Sequence, residues 1–155
     1  MISPETLRRY PFFGNLTDAQ LKAVAMIAEE ITYEKGVTIF EECQEADALF
    51  LLLEGEVDLY YRTEDKLDQK TRKEFLVGEI NVGEIFAISA LIEPYVYSAT
   101  AKTTRSSRTI KINATELRLL FKDDIEMGYK MMIQVTKTAI ERLGYARVQL
   151  AAAWS

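Results

Sequence analysis

The stretch GEIFAISALIEPYVYSAT, from Gly83 to Thr100, decides the fold assignment. It has the order of a turn, a short apolar helical turn, a loop and the beginning of a strand. A segment of this kind typically holds a small anion at the start of its helical turn. Yet Glu93 is the only formal charge between Glu84 and Lys102, so the segment offers an anion no cation.

The composition is that of one globular domain. The 155 residues are 48% hydrophobic and 28% charged, and no apolar run is long enough to span a membrane. The first ten residues lack the apolar core of a signal peptide, and the lone Cys43 cannot form an internal disulfide. We therefore predict a cytoplasmic protein without a membrane segment.

The absence of histidine excludes several kinds of chemistry. Ser-His-Asp and Cys-His catalysis, histidine-ligated zinc and histidine-ligated haem all require that residue. The sequence shows no group of carboxylates or lysines that would supply such chemistry in place of histidine. The net charge of −5 and the lack of a basic stripe also disfavour nucleic-acid binding as the main task. We predict no enzyme activity, no catalytic residues and no metal site.

Capping patterns and periodicity divide the chain into three parts. Residues 1–30 form N-terminal helices, the second of which begins with the capping-box spacing of Thr17 and Gln20. Residues 31–112 alternate in the manner of strands, and residues 113–155 return to helical periodicity.

Two local features complete this assignment. Gly55 is predicted to join two strands in a hairpin, and the mixed charges of Glu64 to Glu74 predict a loop. A long last helix is predicted to begin near Asp123-Asp124. Its apolar seam is rich in small residues and comprises Ile125, Met132, Ala139, Leu143, Ala146 and Leu150.

Four stretches in this order resemble the cyclic-nucleotide-binding domain, the regulatory module of catabolite-activator-type regulators, kinase regulatory subunits and nucleotide-gated channels. They are LRRYPFFGNLTDAQLKAVA, LEGEVDLYY, GEIFAISALIEPYVYSAT and IKIN, and the resemblance runs from Leu7 to Leu150. It implies an α+β fold in which an antiparallel β-roll of the jelly-roll type carries short N-terminal helices and a long C-terminal helix. It also implies that residues 1–155 form one domain whose phosphate-binding cassette is residues 83–100.

The resemblance implies a degenerate ligand site. In the family, backbone amides at the start of a short helix face the cyclic phosphate, a Glu accepts from the ribose hydroxyl, and an Arg pairs with the phosphate. This chain has Ala87-Ile88 in place of Gly-Glu, and Tyr97 in place of the Arg. The residues that the resemblance assigns to the site are Ala87, Ile88, Ser89, Ala90, Tyr97 and Ser98, with Arg147 as a candidate contact from the last helix.

The roles of three of these residues stay open. Tyr97 either contacts a ligand or fills the space that an arginine side chain leaves. Ile88 either faces a ligand or packs. Ser98 either bonds a ligand or caps its own loop.

Two functions follow from the resemblance. The first is a non-catalytic regulatory or ligand-sensing module without standard cAMP or cGMP recognition, which either senses another small anion or ligand or acts only through protein contacts. The alternative is a functional cyclic-nucleotide-binding protein that uses the cassette amides. No other cofactor is implied.

A homodimer through the last helix is expected, since the family dimerises there and Ala139 and Ala146 permit close approach. A protein partner remains unidentified. Because the chain ends at Trp154-Ser155, we expect no DNA-binding domain after that helix.

Overall fold

The computed structural model describes residues 1–63 and 73–155. The larger part of the predicted loop Glu64–Glu74 thus lies outside the described residues, while Lys73 and Glu74 already belong to a strand. None of the helices in the described ranges is both long and apolar enough to cross a membrane.

The N-terminal helices are set by local capping. Helix α1 is Pro4–Arg8, a 3-10 turn follows at Pro11–Phe13, and α2 is Asp18–Met26. The predicted capping box is confirmed: the Gln20 amide donates to Thr17 Oγ1 at 3.2 Å, and the Thr17 amide donates to Gln20 Oε1 at 3.0 Å. These bonds satisfy amides that the first turn of a helix leaves free.

The predicted antiparallel roll is confirmed. The strands follow one another antiparallel along the path β1-β6-β3-β4, with β2 on β6 and β5 on β3. The sheet begins earlier than the predicted boundary at Ile31. Its strands are β1 Ala28–Tyr33, β2 Thr38–Phe40, β3 Ala48–Thr63, β4 Lys73–Ile80, β5 Ile85–Phe86 and β6 Thr100–Asn113.

The predicted hairpin at Gly55 is wrong, because β3 runs through this residue without a break. Gly55 has φ +104°, and the register between β3 and β6 shifts on both sides of it. A Cβ here would lie 2.6 Å from Ser107 Cα. Glycine therefore allows β3 to bend here and lets its backbone approach that of β6 closely.

Alternate residues of β3 serve two different cores, as strand periodicity requires. Leu49 and Leu51 face the helices, where they pack in a cluster with α1, α2 and α4. Phe50 and Leu52 face the interior of the roll, which a second cluster fills. The roll is thus filled with side chains on the inside and covered by helices on the outside.

The C-terminal helices are α3 Ala114–Asp123 and α4 Ile125–Ala153, so the predicted long helix is confirmed. Asp124 caps α4, since its Oδ1 accepts from the Met127 amide at 3.0 Å. The first half of α4 buries Met127, Met131 and Val135 against the helix-side core. Its second half extends beyond that core and is mostly exposed.

Candidate functional site

The segment from Gly83 to Leu91 has the predicted order of turn and short helix. Strand β5 pairs with β3, and the chain then turns at Ala87, whose φ of +69° lies in the left-handed region. A 3-10 helix follows at Ile88–Leu91. The amides of Ile88 and Ser89 open this helix and have no acceptor within it.

Some of the predicted cassette residues are packed in a core, and others are exposed. Ala87 and Ala90 are buried in the interior cluster of the roll, whereas Ile88 packs against the helix-side cluster. Ser98 is exposed, and Ser89 is partly buried. The structure therefore brings these residues to one place, with Ser98 the most accessible of them.

Tyr97 occupies the interior of the roll. Its ring stacks on Phe40 with 4.0 Å between centroids, and the side chain is 4% exposed. Its hydroxyl lies 3.2 Å from both Asp47 Oδ1 and the Ala48 carbonyl oxygen and accepts from the Ala48 amide at 3.3 Å. Burial is the main cause that raises the pKa of Tyr97, and the nearby Asp47 carboxylate adds to it. The hydroxyl is thus engaged at the start of β3.

What remains between the cassette and α4 is a cavity that we call the cup. Its volume is about 40 Å³. A cavity of about 10–15 Å³ on this scale already holds one water molecule, so the cup has room for a few. Its walls are Phe40, Leu59, Ala87, Ile88, Ser89, Ser98, Ala99 and Arg142.

The cation that reaches the cup from α4 is Arg142. Its guanidinium Nη2 donates to the carbonyl oxygen of Ile85, whereas the candidate Arg147 is exposed and does not line the cup. Helical spacing in the sequence could have identified Arg142. Met131 and Val135 are buried on one face of α4, and Arg142 follows on that face at helical spacing. Arg142 therefore takes the position beside the cup at which Arg147 was a candidate.

A second cavity, which we call the cleft, lies on the other side of Arg142. Its volume is about 190 Å³, and it runs between β4 and α4. Arg142 belongs to both walls. The other residues of the cleft are Leu59, Val77, Gly78, Glu79, Ile80, Asn81, Glu84, Thr138, Glu141 and Tyr145.

Arg118 of α3 holds the far end of the same segment. Its guanidinium donates to the Ala90 carbonyl oxygen at 2.6 Å and lies over the Tyr95 ring at 4.0 Å from the centroid. Both C-terminal helices are therefore bonded to the backbone of the cassette.

Within residues 1–63 and 73–155, no group of three or more cysteine, aspartate or glutamate side chains is arranged to hold a metal ion.

A β-roll with a cassette, flanked by a long C-terminal helix, defines a class of small ligand-binding domains. The family model for the cyclic nucleotide-binding domain matches residues 30–124 of this chain. The chain belongs to this family.

Individual relatives agree with that assignment. A crystal structure described as that of a cyclic nucleotide-binding protein from Geobacter metallireducens GS-15 is 39% identical, with a TM-score of 0.79 over 92% of this chain and 99% of that one. The N-terminal domain of a transcriptional regulator from Streptomyces coelicolor A3(2) shares the fold, at 22% identity and a TM-score of 0.67 over 87% of this chain and 90% of that one.

A longer relative contains a similar segment. A protein of Rhodopseudomonas palustris (strain ATCC BAA-98 / CGA009), named as a potassium channel protein, is 24% identical over 123 residues. The match spans 79% of this chain but 28% of that protein.

Proposed function

We propose that this protein is a non-catalytic, ligand-sensing regulatory module of the cytoplasm that lacks standard cAMP and cGMP recognition. The observation that carries the proposal is the packing of Tyr97. Its ring stacks on Phe40 in the roll interior, and Phe40 also lines the cup, whose volume is about 40 Å³. Ligand sites in proteins usually measure ~300–1,000 Å³, so the small volume of the cup supports a protein without a standard nucleotide site.

The side-chain chemistry supports the same conclusion. At the positions where the resemblance puts the family's Glu and Arg, this chain has Ile88 and Tyr97. Tyrosine cannot reproduce the charged, fork-shaped contact of arginine with phosphate. Each lost charged hydrogen bond costs about 1.5–3 kcal/mol, which is about one to two decades of affinity.

The alternative is a cyclic-nucleotide-binding protein that relies on backbone amides. The observation that favours it is the start of the 3-10 helix. There the backbone amides of Ile88 and Ser89 have no side-chain cap, and the exposed Ser98 lines the same cup. This mode of binding requires α4 to move away from the cup, since Arg142 lines it.

Isothermal titration calorimetry with cAMP and with cGMP separates the two functions. The first predicts no sub-micromolar binding of either nucleotide. Sub-micromolar binding of one nucleotide per chain overturns it in favour of the alternative.

The dimer is proposed on the exposed face of α4. A row of side chains recurs there at alternating spacings of four and three, the repeat of a two-helix seam. Its polar members are Thr136 and Arg147, whereas Val135 is buried in the helix-side core. Met132, a member of the predicted seam, packs on the helix-side core and is not part of this row. The exposed apolar members are Tyr129, Ile133, Ile140, Leu143, Leu150 and Trp154.

A further inference from the structure

Asp58 is a carboxyl group buried within the sheet. It lies on β3 and is 8% exposed, and its Oδ1 has no hydrogen-bond partner among the described residues. The Tyr60 hydroxyl donates to its Oδ2 at 3.3 Å. Lys102 is its register partner on β6, but the Lys102 ammonium contacts a carboxylate oxygen of Glu74 at 2.9 Å. An ionised carboxyl group is costly to bury without a bonded counter-ion, whereas the protonated form costs much less.

Two further carboxylates act on Asp58. Glu79 is its register partner on β4, and Glu56 lies two residues before it on β3. Burial is the main cause that raises the pKa of Asp58, the Tyr60 hydroxyl bond lowers it, and the charges of Glu79 and Glu56 raise it further. Like charges directly opposite one another destabilise a pair of strands. Ionisation of Asp58 therefore weakens the pairing of β3 with β4 at this position.

The strand β4 is held loosely enough to respond to that repulsion. Among the described strands it pairs with β3 alone, and Ile80 is its one buried residue. The register between β3 and β4 shifts between Leu59 and Tyr60, next to Asp58, so Val77 has no register partner on β3. A strand with an interrupted ladder and little buried surface opens at a low cost in free energy.

The same part of β4 forms a wall of the cleft. The cleft is lined on this side by Val77, Gly78, Glu79 and Ile80, and on the other side by residues of α4. Glu79 thus belongs both to the carboxylate pair with Asp58 and to the cleft. Separation of β4 from β3 consequently changes the shape of the cleft.

We propose that Asp58 is a proton-operated switch that holds β4 against β3 when its carboxyl group is protonated and lets β4 open when it is ionised. The closed strand pair binds the proton more tightly than the open one does. Closure is therefore favoured at low pH, and this preference is lost as the pH rises through the pKa of Asp58 in the closed state. The inference concerns the regulation of one wall of the cleft and does not depend on what the cleft binds.

The test is amide hydrogen exchange of the ¹⁵N-labelled full chain, followed by nuclear magnetic resonance between about pH 4 and about pH 8. Asp58→Asn keeps the shape of the side chain and cannot ionise. The intrinsic exchange rates of the β4 amides are the same in both proteins at each pH, so the ratio of wild-type to variant rates reports opening. We expect this ratio to rise several-fold with pH. Low urea concentrations are expected to leave the β4 rates unchanged, since a local opening exposes little surface.

Two further variants assign the effect to the carboxylate pair. Glu79→Gln removes the charge opposite Asp58 and is expected to reduce the pH dependence of β4 exchange. The exposed Glu45→Gln, which makes the same change outside β3 and β4, is expected to behave as the wild type. If Asp58→Asn does not fold, the comparison of Glu79→Gln with the wild type decides the result.

Three results overturn the inference. The first is a ratio of wild-type to Asp58→Asn rates in β4 that stays constant with pH. The second is a wild-type β4 whose exchange accelerates with urea as steeply as that of the central strand β6, because opening is then unfolding of the whole domain. The third is an unchanged pH dependence in Glu79→Gln. None of them affects the proposed function, which falls only if calorimetry detects sub-micromolar cAMP or cGMP binding.

Discussion

The guanidinium of Arg142, on α4, donates a hydrogen bond to the carbonyl oxygen of Ile85, on the strand that precedes the 3-10 helix of the cassette. Arg118, on α3, makes the corresponding bond to the Ala90 carbonyl oxygen at 2.6 Å. The two C-terminal helices thus hold the cassette backbone at Ile85, before its 3-10 helix, and at Ala90, within that helix. A ligand that displaces the cassette or either guanidinium changes how those helices are docked.

Tyr97 is expected to be a structural residue of the roll. Tyr97→Phe removes the hydroxyl that bonds Asp47 and the Ala48 backbone, which predicts a loss of about 1–2 kcal/mol in the free energy of unfolding. Tyr97→Ala removes the stacked ring as well and predicts a loss of about 3–5 kcal/mol. Urea denaturation measures both, with the exposed Tyr129→Phe as a matched control that changes little. A neutral Tyr97→Ala contradicts this role.

Restoring the family's side chains is expected to restore nucleotide binding only in combination. Ile88→Glu supplies the ribose acceptor and Tyr97→Arg supplies the phosphate cation, while removal of the ring enlarges the interior. Calorimetry with cAMP is expected to show binding in the double variant and none in either single variant. Thermal unfolding checks that each variant is folded. Binding by a folded wild type, or by Ile88→Glu alone, argues against a lost site.

Two copies of the chain are expected to associate through the α4 seam, and one charge placed in that seam is expected to disrupt the dimer. Leu143 is 50% exposed in the middle of the seam, and Leu143→Glu places a carboxylate between two apolar helix faces. We expect light scattering to report a dimer for the wild type and a monomer for this variant. Ala152→Glu, on the opposite side of α4, is expected to remain dimeric. A monomeric wild type at micromolar concentration rejects the proposed dimer.

Asp58 is expected to make stability depend on pH. This carboxyl on β3 is 8% exposed, and among the described residues its Oδ1 has no hydrogen-bond partner. Burial raises the pKa of Asp58, Glu79 and Glu56 raise it further, and the Tyr60 hydroxyl lowers it. The folded state therefore binds the proton more tightly than the unfolded state, and the stabilisation this gives is lost as the pH rises through the folded-state pKa.

Asp58→Asn removes this dependence. Relative to the wild type, the variant is expected to gain stability as the pH rises from the ordinary Asp pKa of about 3.9 through the higher folded-state pKa of Asp58. Urea denaturation across this range measures the difference. A wild type that gains stability over the variant as the pH rises contradicts the assignment.

Glycine substitutions distinguish the bend of β3 from an ordinary flexible position. Gly55→Ala forces a Cβ to 2.6 Å from Ser107 Cα at a left-handed φ, so a loss of more than about 1 kcal/mol is expected. Gly144→Ala, in α4, meets no atom within 4 Å and is expected to stabilise by about 0.5–1 kcal/mol. Thermal denaturation of both variants is the measurement, and a Gly55→Ala variant as stable as the wild type refutes the close approach.

Features encoded within a few residues could be predicted from the sequence, and features set by packing could not. The Thr17–Gln20 capping box and the short helix at Ile88 depend on local patterns, and both are found. The sequence predicts a hairpin at Gly55 because a glycine between apolar runs is also typical of a turn. Only its close approach to Ser107 shows that it bends a continuous strand.

The cation beside the cup illustrates the same limit. The sequence indicates that the last helix can reach the cassette, but it does not fix the rotation of that helix. The contacts of Met131 and Val135 with the helix-side core set the rotation and turn Arg142 to the cup, leaving Arg147 exposed. The direction of Tyr97 is likewise set by its stacking on Phe40.

The most direct test of the loss of standard nucleotide recognition is calorimetric titration of the wild-type chain with cAMP. The filled roll and the small cup predict no heat of sub-micromolar binding at any ratio. A saturating heat with a sub-micromolar dissociation constant and one nucleotide per chain contradicts the account.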